Sequence, residues 1–240
     1  MTKKMPLIGF DRYVDIGWCR SAIDAAATQS SIEVVRDQIA TMLLGMESQR
    51  KTLDILKRLS TKPFDHLADF ISRGITLYKR QGQCVVLPLA WGASIASYPF
   101  FGKASETTGR LLALQGDCST KELQRRMAEQ YGDRNGIERA VARVLQSQES
   151  WQALTRDETA KRVLKLQAVV INDNELAAWL IEAAVRYANK PISVPSLHSL
   201  PVLFPFNLTR HLTYLVSNSP NLVLRSEGPS NQFVALRNTL

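Results

Sequence analysis

The chain has 240 residues, enough for one large domain or two small ones, and 45 % hydrophobic with 22 % charged residues exclude a disordered or fibrous protein. Thirty lysines and arginines against 22 acids leave a net charge of +8, which suits a polyanionic partner, nucleic acid above all. The three cysteines and three histidines are too scattered for paired metal ligands, and an odd thiol count after a non-secretory start points to the cytoplasm.

A short helix is expected over residues 14–27. From 31 to 59, Ile32, Val35, Ile39, Met42, Leu43, Met46, Leu53, Leu56 and Leu59 recur at three- and four-residue steps, predicting a long amphipathic helix with a solvated basic face. A shorter helix follows Pro63, with Phe64, Leu67, Phe70, Ile71 and Ile75 on one side. The uncharged stretch CVVLPLAWGASIASYPFFG, 84–102, approaches the length of a membrane span, which needs roughly 20 apolar residues. Its prolines, Gly92 and serines dilute it, and a buried helix bounded by the prolines is the simpler reading. Residues 1–102 thus read as an N-terminal helical bundle without membrane contact.

A second module is expected over 103–190. Ser105 is a plausible N-cap for a helix ending at Gly116. Ser119 and Glu122 have capping-box spacing, and Leu123, Met127 and Tyr131 line the helix they open. The break GDRNG separates it from a helix with Ile137, Val141, Val144, Leu145 and Gln148 on one stripe. WQAL and RVLKLQAVVI around the turn TRDET predict a hairpin over 151–171. A helix then opens at Asn172 with Glu175 in capping spacing and ends before Pro191. Residues 191–240 hold a proline-rich linker with no regular element, a short helix in FNLTRHLTYLVSNSP and a hairpin with EGPSN at its tip. The apolar residues of that hairpin favour capping of the core over a second charged contact.

The chemistry-bearing surface is the far side of the 137–149 helix. At about 100° per residue, Asn135, Arg139, Arg143 and Gln146 lie opposite the apolar stripe. Arginine reads guanine edges in a major groove, and asparagine or glutamine reads adenine. Arg125 and Arg126 on the preceding helix, with Lys161 and Arg162 beside the hairpin turn, are placed to hold phosphates. The module carries 12 basic and nine acidic residues between 103 and 165, so a packing or docking face competes with this reading.

The order helix 105–115, helix 119–131, helix 137–149, hairpin 151–171 resembles a winged helix-turn-helix domain, although its turn is longer than the standard one. WQAL, ELAAWLIEAA and LFPFNL are similar in distribution to uncharacterised prokaryotic winged-helix proteins of phage-defence or mobile-element loci. That resemblance implies a DNA-associated role. It implies nothing about chemistry.

Hydrolase, Walker and zinc-protease signatures are missing. Asp65 and Asp69 with His66 between them read as helix-start charges rather than a metal pair. Cys118 precedes a helix N-terminus, a place that depresses a thiol pKa, but no histidine adjoins it. The four tryptophans fall in apolar patterns and read as core. The expectation is a mainly α, non-enzymatic protein with no cofactor: a helical bundle, a winged helix-turn-helix module, then a helix and β-hairpin. Its expected partner is double-stranded DNA, with a protein encoded in the same locus as a second candidate. The alternative is an adaptor that docks a partner enzyme without touching DNA.

Overall fold

The Asp15 carboxylate accepts the Gly17 N–H at 2.8 Å and so starts α1 (Ile16–Thr28), which ends at Gln29 in the left-handed conformation. The computed structural model describes residues 7–132, 136–157, 159–209, 212–228 and 231–237. The long pattern expected over 31–59 forms two helices, α2 (Glu33–Met42) and α3 (Met46–Leu59), because Leu43 and Gly45 are extended. Val35, Ile39, Leu53, Leu56 and Leu59 are buried as anticipated, whereas Met42, Leu44 and Met46 stand out in solvent at the corner.

A 3-10 turn at 65–67 leads into α4 (Ala68–Gln81), which buries Phe70 and Ile71. The uncharged stretch supplies α5 (Val86–Ser97), almost wholly buried, with Pro88 in its first turn where a missing N–H costs little. Pro99 then opens α6 (Pro99–Gln115), six residues before the start expected at Ser105. Ser105 is therefore no cap. It lies buried inside the helix, its hydroxyl donating to the Phe101 carbonyl at 2.8 Å and accepting from Gln148 Nε2 at 2.9 Å. The compositional boundary at 102/103 falls within this helix. Gly116 closes it at φ 82°.

Next come β1 (Asp117–Ser119), α7 (Thr120–Tyr131), α8 (Ile137–Ser150), β2 (Leu154–Asp157) and β3 (Arg162–Lys165). β3 lies between β1 and β2, antiparallel to both, with Val163 opposite Cys118 on one side and Arg156 on the other. The hairpin is shorter than the expected 151–171. Its last residues leave as β4 (Val169–Ile171) and pair in parallel with β6 (Phe206–Leu208).

α9 (Asn174–Ala188) is capped by Asp173, whose carboxylate accepts the Leu176 N–H at 2.8 Å, and not by Asn172. The proline-rich linker is more ordered than anticipated: β5 (Ile192–Ser193), 3-10 turns at 194–199 and 201–203, and β6 lie within or overlap it. α10 (Leu212–Asn218) and the hairpin of β7 (Leu222–Ser226) and β8 (Gln232–Leu236) complete the chain, with β8 between β5 and β7. Leu222, Val234 and Ala235 are buried, so this hairpin caps the core.

The protein is mainly helical with three small sheets among the described residues. One hydrophobic cluster runs from Phe10 to Val234. Trp91 of α5 is its hub, its ring against those of Phe101, Trp151, Phe204 and Phe206 and its N–H on the Val202 carbonyl at 2.8 Å. All four tryptophans are buried. No single helix is long and apolar enough to cross a membrane; residues 65–97 and 99–115 pass on length and composition only as a pair bent by 115°.

Candidate nucleic-acid interface

α7 forms because Ser119 caps it, the hydroxyl accepting the Glu122 N–H at 3.1 Å. The reciprocal half of the expected box is diverted: the Glu122 carboxylate takes Arg126 at 3.0 Å and Gln115 at 3.3 Å. Leu123, Met127 and Tyr131 are buried on the inner face. α8 turns Ile137, Val141, Val144 and Leu145 inward as anticipated, with Ala140, Ser147 and Gln148 beside them. Gly132 and Gly136 both take positive φ at the ends of the connection, a conformation that suits glycine. Gln124 Nε2 reaches the Glu138 carbonyl at 3.2 Å and ties the two helices at that end.

The eight candidate residues have different environments. Arg125 pairs with Glu129 and Arg126 with Glu122, both one helical turn away. Arg162 pairs with Asp117 across the β1–β3 ladder, its Nε 2.9 Å from the carboxylate. The contact with Arg162 holds the Asp117 carboxyl below its ordinary range and the Arg162 guanidinium above its own, while Arg126 separately holds the Glu122 carboxyl low. Arg143 donates to the Gln146 amide oxygen at 2.7 Å. Arg139 and Lys161 are exposed and make no hydrogen bond or ion pair among the described residues. Lys161 sits at the hairpin tip in the left-handed conformation, φ 52°. Asn135 lies outside the described residues.

Between residues 103 and 165, two further exposed lysines among the described residues share this freedom, Lys121 in the first turn of α7 and Lys165 at the end of β3. Lys121 could have been found from its place beside the Ser119 cap. Lys165 carries no such signal.

The outer face of α8 is not uniformly open. Arg143 and Gln146 line a cleft of about 190 Å³ with Arg12, Tyr13, Met42, Leu43 and Ser48, so the second half of the face looks onto the α2–α3 corner. The last turn is fastened to residues 14–16. Val14 N–H donates to Ser147 Oγ at 2.9 Å, Trp151 Nε1 donates to the Val14 carbonyl at 2.9 Å, and Ser150 Oγ donates to Asp15 at 2.7 Å. The part of α8 free to meet a partner is its first half, around Arg139.

The Cys118 thiol lies buried against Val163, and desolvation pushes its pKa up to about 11, the reverse of the depression expected before a helix N-terminus. Asp69 is held by Arg73 at 2.8 Å, consistent with a structural carboxylate. Among the described residues no three His, Cys, Asp or Glu side chains converge as metal ligands. Compared with protein-family models, curated protein sequences and solved structures, the chain shows no significant match.

Proposed function

We propose that the protein binds duplex DNA without catalysis, as a regulator or as the DNA-engaging subunit of a prokaryotic assembly, through a winged helix-turn-helix arrangement of α6–α8 and the β1–β3–β2 sheet. The observation that carries this reading is the exposure of unpaired Arg139 on α8 and unpaired Lys161 at the hairpin tip, on the two elements such a domain presents to DNA. Arg139 takes the base-reading role, and Lys121, Lys161 and Lys165 take phosphates. Arg125 and Arg126 join at little cost, since exposed ion pairs exchange a glutamate for a phosphate readily. Arg143 and Gln146 are secondary, because they face the cleft.

The test is a duplex titration at two salt concentrations. Affinity should fall steeply with salt, Lys161→Ala should reduce the log–log slope by about one, and Arg139→Ala should cost about 1–3 kcal/mol. Salt-independent binding, or unchanged affinity in both variants, removes the reading. A second reading rests on the α2–α3 corner, where Leu44 is 97 % and Met46 82 % exposed. There the chain is an adaptor that docks a partner protein. The chain then shifts no duplex, and Leu44→Glu with Met46→Glu abolishes co-purification of that partner.

A further inference from the structure

α4 and α9 run antiparallel and are joined by two Arg–Glu rungs with the same spacing on each helix. Arg73 meets Glu182 through two bonds of 2.8 Å, and seven residues along, Arg80 meets Glu175, with one bond at 3.2 Å. Between the rungs lies a cavity of about 510 Å³, with Leu77, Ala178 and Trp179 among its lining and Tyr214 of α10 on another side. A cavity of that size is in the range of small-ligand sites.

The two rungs are not equivalent. Glu182 is 1 % exposed and accepts Arg186 Nε at 2.9 Å as well as both Arg73 nitrogens, so its oxygens are committed. The apolar floor is equally fixed: Trp179 stacks on Phe70 with centroids 4.3 Å apart, and its N–H donates to the Phe70 carbonyl at 2.9 Å. The outer rung stands in water, with the Arg80 side chain 50 % and Glu175 68 % exposed. Such a pair contributes little and can trade partners.

A simple anion inserted here would take Arg80 and orphan Glu175. A simple cation would do the opposite. A ligand that carries both charges on one carbon compensates both at once and leaves its side chain to the apolar lining. We propose that this cavity binds a free α-amino acid with a bulky apolar side chain, its carboxylate on Arg80, its ammonium on Glu175 and its side chain between Ala178 and the exposed Tyr214 ring. The site is independent of the nucleic-acid reading and stands or falls without it.

The test is calorimetric titration of the full chain with L-phenylalanine, L-leucine and L-tryptophan, beside N-acetyl-L-phenylalanine and L-phenylalaninamide. At least one free amino acid should saturate, and each blocked derivative should bind about tenfold more weakly or worse, having lost one charge-assisted contact. Glu175→Gln, an exposed substitution, should erase the preference over the N-acetyl compound and keep that over the amide. Ala178→Trp should fill that space and abolish binding. No saturable binding of any apolar amino acid, or derivatives as tight as the free acid, overturns the proposal.

Discussion

Gly92 of α5 and Gly74 of α4 lie against the Trp179 ring, and a Cβ at 92 would come within 2.2 Å of Cζ3. The ring is stacked on one side and hydrogen-bonded at its edge, so it has nowhere to move. Gly92→Ala should destabilise the fold by about 1–3 kcal/mol in urea unfolding, the usual cost of overpacking a filled core; a change under ~0.5 kcal/mol would show that the ring gives way. Glu106 and Tyr187 set a pH window. Burial opposes ionisation of the half-buried Glu106, but the Tyr187 hydroxyl at 2.8 Å and Lys103 at 3.1 Å outweigh it and hold the carboxyl below its ordinary 4.5. Its contribution is present above pH 4.5 and disappears as pH falls through the lowered value. Tyr187 is raised above its ordinary 10.0, by burial first and then by Glu106, so its contribution is present below pH 10 and disappears as pH rises. Glu106→Gln should flatten the acid limb of the unfolding midpoint against pH, and Tyr187→Phe the alkaline limb. Thiol labelling gives a simpler check: exposed Cys84 should react in the native protein, while buried Cys19 and Cys118 should wait for unfolding.

At the scale of elements, helices announced by local chemistry were legible. α7, α8 and α9 each bury an apolar stripe that is visible in three- and four-residue steps, and their ends carry caps or glycines. Ser119→Ala should cost about 1 kcal/mol in unfolding and Ser119→Asp should restore it, because an aspartate accepts the same N–H. Elements that depend on distant partners were not legible. β1 and β4 have three residues each, too few for an alternation to show, and they exist because β3 and β6 pass beside them. The 31–59 pattern misled for the opposite reason. Met42, Leu43 and Met46 fill helical spacing, yet Leu43 and Gly45 are extended and the two methionines meet solvent. The candidate interface divides the same way. The outward face of α8 follows from spacing, and the Arg125–Glu129 and Arg126–Glu122 pairs sit at a four-residue separation that sequence displays. The Arg162–Asp117 pair and the cleft that Arg12 and Arg143 both line bring together residues 45 and more than a hundred positions apart, and nothing local encodes them.

The whole molecule is held by contacts that ignore the compositional halves. Residues 14–16 grip the end of α8, Trp91 gathers rings from α6, the 151 region and the C-terminal turns, and the buried cluster is continuous. Unfolding followed by tryptophan fluorescence and by far-ultraviolet circular dichroism should therefore coincide in one transition; separated midpoints would reveal two independent units. The 17 residues of α6, about 25 Å of helix, begin among the first bundle's aromatics and end at the strand that borders the hairpin. It serves both halves as a common axle. A gene cut anywhere along it yields two fragments that each miss half of their bearing, so complementation from split pieces should fail there, and tags or inserted domains should be carried instead at the exposed hairpin turn near Lys161.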